Sequence, residues 1–466
     1  MRASAVDQII DGGGADIVTR LAALPENQWF ERKSGRIRPK DLAEDLIAFA
    51  NAEGGTIVVG IHDGRSDPPL PARTNDLRQA AHDLTVPTVR VHAEEVHVGE
   101  GATLLLLRVA PGEQVHETRS GECFLRVGDE TKRLSFGQRQ ELEYDRGSAP
   151  YDGTPVAAKV DALDPEQVEA YRTAIGSPDT RRMLQARNLL TPLGELTIAG
   201  YLLFAEHPQS LFPNAHVRVL RYTERERGTG AGLTLDDAAD IRCEGSLPSQ
   251  IATAAEAIER LLPRRRALAV SGRFEAQPIV PRDAWLEGLV NAVLHRSYSM
   301  AGDHIRVEIF PDRMEIVSPG RFPGLVDPRN LLDIARHARN PRIARVCSDL
   351  GIAQELGEGI RRIYAEVRAR GLTDPVYTQT QAGVRLVLSA ADAIPADVLA
   401  ALPRGATDTL SALRIAGRPL GTGQIEELAG ITRPTALKHL RALQSAGIII
   451  WEGQSQRDPR ATWRIA

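Results

Sequence analysis

Cysteine is scarce in this chain: Cys123, Cys243 and Cys347 are the only three in 466 residues. Far apart and odd in number, they suit neither a disulfide framework nor a zinc site, and so indicate a reducing compartment. Long apolar runs are missing as well. None approaches the ~18 residues needed to cross a bilayer, so no membrane partner is expected. The opening Met1-Arg2-Ala3-Ser4-Ala5-Val6-Asp7-Gln8 has one basic residue and no apolar core behind it, unlike a secretory leader. A cytoplasmic location is therefore expected. Internal repeats and low-complexity segments are absent, and a net charge of −4 excludes a chain that is basic throughout.

What is present is ordinary for folded protein: 42% hydrophobic and 25% charged residues, enough apolar surface for packed cores. The length exceeds what one core organises and suggests about three domains. Charge is unevenly placed. From residue 401 onward nine Arg or Lys face five Asp or Glu, a balance of +4 that leaves −8 on the first 400 residues. A basic tail on an acidic body fits a terminal nucleic-acid module.

The pattern along the chain is α/β and multidomain. Trp29–Lys33 reads as a strand, and Pro39 to about Ala52 as a helix with Pro39 in its first turn and Asp41 and Glu44 near its N-terminus. Gly54-Gly55 ends it, and Thr56–Ile61 reads as a buried strand from its unbroken apolar run. Strands follow at 89–97, 103–109 and 123–127, and 147–155 reads as a linker. Farther on, Thr197–Phe204 and Val217–Leu220 read as strands and 246–262 as a helix. The expected division is an α/β domain at 16–145, a connecting region at 156–262, a further domain at 263–390 and a small terminal domain at 405–466.

That last domain carries the clearest mechanism. Leu410, Leu413 and Ile415 seed a first helix, Thr422 to Leu428 form a second, and Thr432 opens a third with Leu437, Leu440 and Leu443. Ile448–Trp451 and Ala461–Ile465 then form a hairpin. Three helices and a hairpin describe a winged helix-turn-helix, whose third helix enters the major groove of double-stranded DNA. Arg433, Thr435, Lys438, His439 and Arg441 offer donors there, and Arg457 and Arg460 suit phosphates at the wing tip. Winged helices also act as protein–protein modules. DNA binding is the reading adopted, because the positive charge sits on the two elements that meet a duplex.

Upstream, Glu287, Asn291 and His295 fall at i, i+4 and i+8 of an otherwise apolar helix and share one stripe. Such a stripe either faces water or lines a cleft, where a carboxylate activates water and an amide oxygen holds Mg²⁺. Two glycine loops follow, Ser318-Pro319-Gly320 and Leu356-Gly357-Glu358-Gly359-Ile360, the second opening a helix that can present N–H groups to an anion. Together with Asn291-Ala292-Val293-Leu294-His295-Arg296-Ser297-Tyr298 and Arg339-Asn340-Pro341, these residues resemble the C-terminal GHKL-type ATPase domain of RecG-like transcriptional regulators. The resemblance implies a Bergerat-like α/β sandwich binding ATP and Mg²⁺. It implies Glu287 as general base, Asn291 as Mg²⁺ ligand, and His295, Gly320, Gly357 and Gly359 around the nucleotide. Ser318 stands where that family reads adenine with an Asp.

Glu26–Lys33, Ala48–Gly55 and Gly60–Asp63 resemble the Schlafen/AlbA-like divergent domain, over about residues 16–140. In its nuclease branch an acidic triad holds a divalent metal such as Mn²⁺ or Mg²⁺, and Glu26, Glu31 and Asp63 match those positions. The alternative is that Glu31 pairs with Lys33 or Arg32 and Asp63 only makes a turn. Arg32, Lys33, Arg36, Arg38 and Lys40 then read as phosphate contacts or a solvated loop. The combined expectation is a DNA-binding regulator with a nucleotide pocket, assembled as a homodimer or higher oligomer on paired half-sites. Its rival is a metal-dependent nuclease acting on RNA or single-stranded DNA.

Overall fold

The computed structural model describes residues 5–14, 16–98, 102–146, 150–268, 274–322, 331–332, 337–354, 357–380, 383–391, 398, 401–416, 418–453, 458 and 461–465. The chain divides into two compact units, one of residues 1–151 with 322–339, the other of 152–321 with 340–466. No described helix is long and apolar enough to cross a membrane.

The first unit is built on a four-stranded sheet. Its strands are β1 (Phe30–Lys33), β2 (Gly55–Val59), β3 (Val91–Val98) and β4 (Ala102–Val109), in the order β1-β2-β4-β3 with only β1 and β2 parallel. Helices α1 (Ala5–Asp11) and α2 (Ile17–Ala23) belong to one core, where Val6, Ile9, Ile17 and Leu21 meet Phe30, Val58, Leu104 and Leu106. Helices α3 (Pro39–Asn51) and α4 (Pro71–Leu84) belong to the other, where Leu42, Leu46, Phe49 and Leu77 meet Ile57, Val59, Leu105 and Leu107. Because both faces are covered, β2 and β4 are apolar at successive positions rather than alternating. A further hairpin, β5 (Phe124–Val127) with β6 (Glu130–Arg133), leads to α5 (Phe136–Asp145), which Ser135 and Gln138 cap reciprocally. Arg339 reaches Asp145 at 2.7 Å, so a segment remote in sequence completes this unit.

In the second unit α6 (Pro165–Ala174), α7 (Thr180–Ala186) and α8 (Ile198–Phe204) precede a six-stranded sheet. The sequence predicts a strand over 197–204, and the structure has a helix instead. Every residue of α8 is buried, so its apolar run lacks a period, and the Thr197 hydroxyl caps it by accepting the Gly200 N–H at 3.3 Å.

The sheet strands are β7 (Val217–Tyr222), β8 (Leu235–Cys243), β11 (Ile305–Ile309), β12 (Arg313–Pro319), β13 (Val376–Gln379) and β14 (Gly383–Ser389). They run in the order β8-β7-β11-β12-β14-β13, and β7 pairs in parallel with β11. A separate hairpin pairs β9 (Arg264–Leu268) with β10 (Phe274–Pro278). Helix α9 (Leu247–Leu261) packs on β7 and β8, and α10 (Arg282–His295) packs on β12 and on α12 (Gly359–Ala369), with α11 (Pro341–Asp349) between the latter two in sequence. The expected boundary at 263 cuts through this layer, because β7 and β8 are sheet strands rather than parts of a connector.

The unit ends in α13 (Ala406–Ala416), α14 (Thr422–Ala429), α15 (Arg433–Ser445) and the hairpin β15 (Ile449–Glu452) with β16 (Thr462–Ile465). Leu410, Leu413, Leu420, Ile425, Leu440, Leu443, Ile449 and Trp463 form their common core. Gly430 ends α14 at φ +62°, a left-handed position that favours glycine. The N-cap of α14 is Gly421, and the Thr422 hydroxyl accepts the Trp463 indole N–H at 3.1 Å.

Candidate functional site

Helix α10 brings the polar stripe to α12. Asn291 Nδ2 donates to Glu287 Oε1 at 3.2 Å, and Arg362 Nη1 of α12 lies 3.4 Å from Glu287 Oε2. Arg362 also holds the Gln354 side-chain oxygen. Gly359, the first residue of α12, shows how close the helices come. A Cβ there would stand 2.2 Å from Glu287 Oε1 and 3.0 Å from Asn291 Nδ2. Gly357, at φ +71°, sets the turn before the helix. A carboxylate, an amide and a glycine-opened helix N-terminus therefore converge, which suits the phosphates and Mg²⁺ of a nucleotide: the Asn291 oxygen toward a cation, the first N–H groups of α12 toward an anion, and Glu287 as a proton acceptor between them.

The base-reading end fits less well. The Ser318 hydroxyl donates to the Ala292 carbonyl at 2.8 Å, which ties β12 to α10. Gly320 follows at φ +102°, and His295 is half-buried at the end of α10. The neighbouring motif residues are structural. Arg296 is buried and donates to the Asp303 carbonyl at 2.6 Å, Tyr298 donates to the Val293 carbonyl at 3.0 Å, and the Ser297 N–H reaches the Pro319 carbonyl at 2.9 Å. Asn340 closes α10 by donating to the Leu294 and Arg296 carbonyls at 2.8 and 2.9 Å.

The N-terminal acids do not come together. Glu26 accepts the Arg32 backbone N–H at 3.1 Å, and Asp63 stands exposed on a turn at φ +46° with His62 beside it. Glu31 is buried between Arg126 and Lys33, with Lys33 Nζ 2.5 Å from Glu31 Oε1 and 3.0 Å from Asp45 Oδ2. Thr131 donates to Asp45 at 2.7 Å, and the fully buried Arg126 also donates to the Asn27 carbonyl and covers the Phe49 ring. Burial, reinforced by Asp45, raises the Glu31 pKa above the usual carboxylate value against the pull of Lys33 and Arg126. Burial disfavours the Lys33 ammonium, but Asp45 and Glu31 outweigh it and hold that pKa high. Among the described residues no group of three His, Cys, Asp or Glu is placed to hold a metal ion. The proposed phosphate contacts are engaged too: Arg32 with Glu26, Arg36 with Asp67, and Arg38 with Asp41.

On α15, Arg433, Lys438 and Arg441 are exposed and Thr435 is half-buried. Arg433 lies 3.3 Å from Glu426, and Thr435 bonds the Thr432 hydroxyl at 3.0 Å. His439 is a correction. It is buried on the inner face of α15 against the Thr409 hydroxyl at 2.8 Å, so it faces the core rather than a duplex. Arg457 and Arg460 lie outside the described residues.

Sequence reasoning missed Arg362, Asn340, Arg126 and Asp45 as members of these clusters. Each sits far along the chain from its partner or in no recognisable spacing with it, so only Asn340, within the quoted Arg339-Asn340-Pro341, carried any signal.

Residues 26–135 match the family model described as "Schlafen, AlbA_2", and residues 302–388 match the one described as "Putative ATP-dependent DNA helicase recG C-terminal". The chain thus carries a Schlafen/AlbA-like segment and an ATPase-like segment in a mixed α/β fold. The second match includes Gly320, Gly357 and Gly359 and begins beyond Glu287, Asn291 and His295. None of the curated proteins matches the chain. Among solved structures, the crystal structure of the DIP2311 protein from Corynebacterium diphtheriae is similar over 94% of this chain and 91% of that one, at 21% identity and a TM-score of 0.41.

Proposed function

We propose that this chain is a DNA-binding transcriptional regulator whose affinity for double-stranded DNA responds to ATP and Mg²⁺ held between α10 and α12. The observation that carries the reading is the division of α15 into two faces. Leu440, Leu443 and His439 turn into the core while Arg433, Lys438 and Arg441 stand exposed on the helix that a winged helix inserts in the major groove. Thr435 joins them near its N-terminus. Two copies on two half-sites form the expected assembly.

Within the nucleotide site Glu287 accepts a proton from water, Asn291 orients the metal, and Gly357 and Gly359 let the backbone approach the phosphates. The test is fluorescence anisotropy of the full chain on a mixed-sequence duplex across a salt series, with and without ATP·Mg²⁺. Affinity that falls steeply with salt and shifts with nucleotide is expected. Binding that is absent at every salt concentration ends the regulator reading, and identical affinity in both arms ends the coupling.

The match of residues 26–135 favours one second reading, a divalent-metal-dependent nuclease acting on RNA or single-stranded DNA. Mn²⁺-dependent cleavage of either substrate by the full chain, abolished by EDTA, establishes it; no cleavage with any divalent metal ends it.

A further inference from the structure

We infer that Arg362 is a phosphate-binding residue of the α10–α12 site, and that Glu287 holds it in reserve until a nucleoside di- or triphosphate arrives. This deepens the nucleotide reading above and rests on it.

Three contacts converge on one carboxylate. The first turn of α12 lies so close to Glu287 that a Cβ on Gly359 would press on its carboxylate. Asn291 Nδ2 donates to Oε1 at 3.2 Å, and Arg362 Nη1 approaches Oε2 at 3.4 Å. The Asn291 amide N–H and the Arg362 guanidinium make up a donor pair of the kind that recognises a phosphate oxygen, and the N-terminus of α12 opens beside them. In this arrangement Glu287 is itself the anion that both donors hold.

Arg362 is suited to an exchange of partners. Its side chain is 37% exposed while that of Glu287 is 18% exposed, so the cation is the more accessible member of the pair. A guanidinium binds a phosphate through paired N–H donors, and a terminal phosphate carries more charge than a carboxylate. Moving Arg362 onto that phosphate also releases Glu287 from its counter-ion, as a group that must accept a proton from water requires. One cation thereby serves two anions in turn: without nucleotide it quiets the carboxylate, and with nucleotide it reads the end of the phosphate chain. A nucleoside monophosphate, lacking that end, gains little from it.

The experiment is isothermal titration of the full chain with ATP·Mg²⁺, ADP·Mg²⁺ and AMP, using wild type, Glu287→Gln, Arg362→Gln and Arg362→Lys. Thermal melts establish that each variant is folded. Glu287→Gln removes the counter-charge of Arg362, leaving it only the neutral Gln354 oxygen, and is expected to tighten ATP binding severalfold. Arg362→Gln is expected to weaken ATP binding by about tenfold or more, as loss of a charge-assisted hydrogen bond does, while leaving AMP binding near the wild-type value. Arg362→Lys recovers part of the loss. Two results overturn the inference while sparing the nucleotide site: ATP affinity unchanged in both Gln variants, or AMP and ATP weakened equally by Arg362→Gln. Wild type that binds none of the three nucleotides removes the nucleotide reading and this inference with it.

Discussion

Two carboxylates, Glu31 on β1 and Glu287 on α10, carry the chemical interest of this chain, and their surroundings differ in kind. Glu31 is buried in the company of Arg126, Lys33 and Asp45, two cations against two anions. Glu287 keeps some exposure, has one half-exposed cation beside it, and faces a helix start where glycine leaves no side chain in the way. A buried carboxylate matched by fixed cations is held for the fold, because removing either partner strands a charge in a poor solvent. A carboxylate beside open backbone donors and a half-exposed arginine can change partners. The same residue type at similar-looking motif positions thus supports different roles.

The sharpest way to break this contrast is Arg126→Met. With the guanidinium gone, Glu31 loses a buried counter-charge, and urea unfolding of the first unit is expected to show a loss of about 3–5 kcal/mol. Glu287→Gln, measured in the same way, is expected to change stability by under about 1 kcal/mol. Equal losses would dissolve the distinction.

Burial that outweighs a nearby carboxylate gives the next effect: His304 Nδ1 lies 3.9 Å from Asp303 Oδ1. The rings of His216 and His304 stack with centroids 4.7 Å apart, and among the described residues neither Nε2 has a hydrogen-bond partner. Burial, with His216 and Arg306 alongside, lowers the His304 pKa to about 4. Since this folded value lies below the ordinary 6.5, the stabilisation is present above pH 6.5 and is lost as the pH falls toward 4. His304→Gln is expected to flatten that limb of a pH–stability curve.

Smaller still is Gly359→Ala. Its Cβ meets the mobile end of Glu287 rather than backbone, so the fold survives while the carboxylate is displaced. ATP affinity is expected to fall by about tenfold, near 1.4 kcal/mol, with little change in melting temperature. Least in energy is Lys438→Ala. Each lost phosphate contact lowers the slope of log affinity against log salt by about 0.9, whereas His439→Ala acts on stability by emptying the pocket beside Thr409.

Much of the first unit was readable in advance because burial on both faces writes itself as unbroken apolar strands. Ile57-Val58-Val59 and Leu104–Leu107 are such runs, and glycines stop the helix before the first of them. The three terminal helices and the hairpin were equally plain, since their core positions recur at helical spacing between glycine stops. The same signal fails at α8, where burial on every side erases the period that separates helix from strand. At the α10–α12 site the stripe Glu287–Asn291 was legible, because it lies on one helix. Its partner Arg362 was not, because it lies 75 residues away.

Local chemistry, encoded over a few neighbouring residues, therefore determined the elements: which segments are strands, where glycine and proline break them, and which helices carry a polar stripe or an exposed row of cations. Tertiary structure alone decided the pairings. It placed Arg126 on Glu31 from 95 residues away, turned His439 inward, joined β7 and β8 to the later strands, and returned Arg339 to Asp145. The reason is physical: a charge or a sheet edge is satisfied by whatever lies nearest in space, and the spacing of residues along the chain does not record that distance.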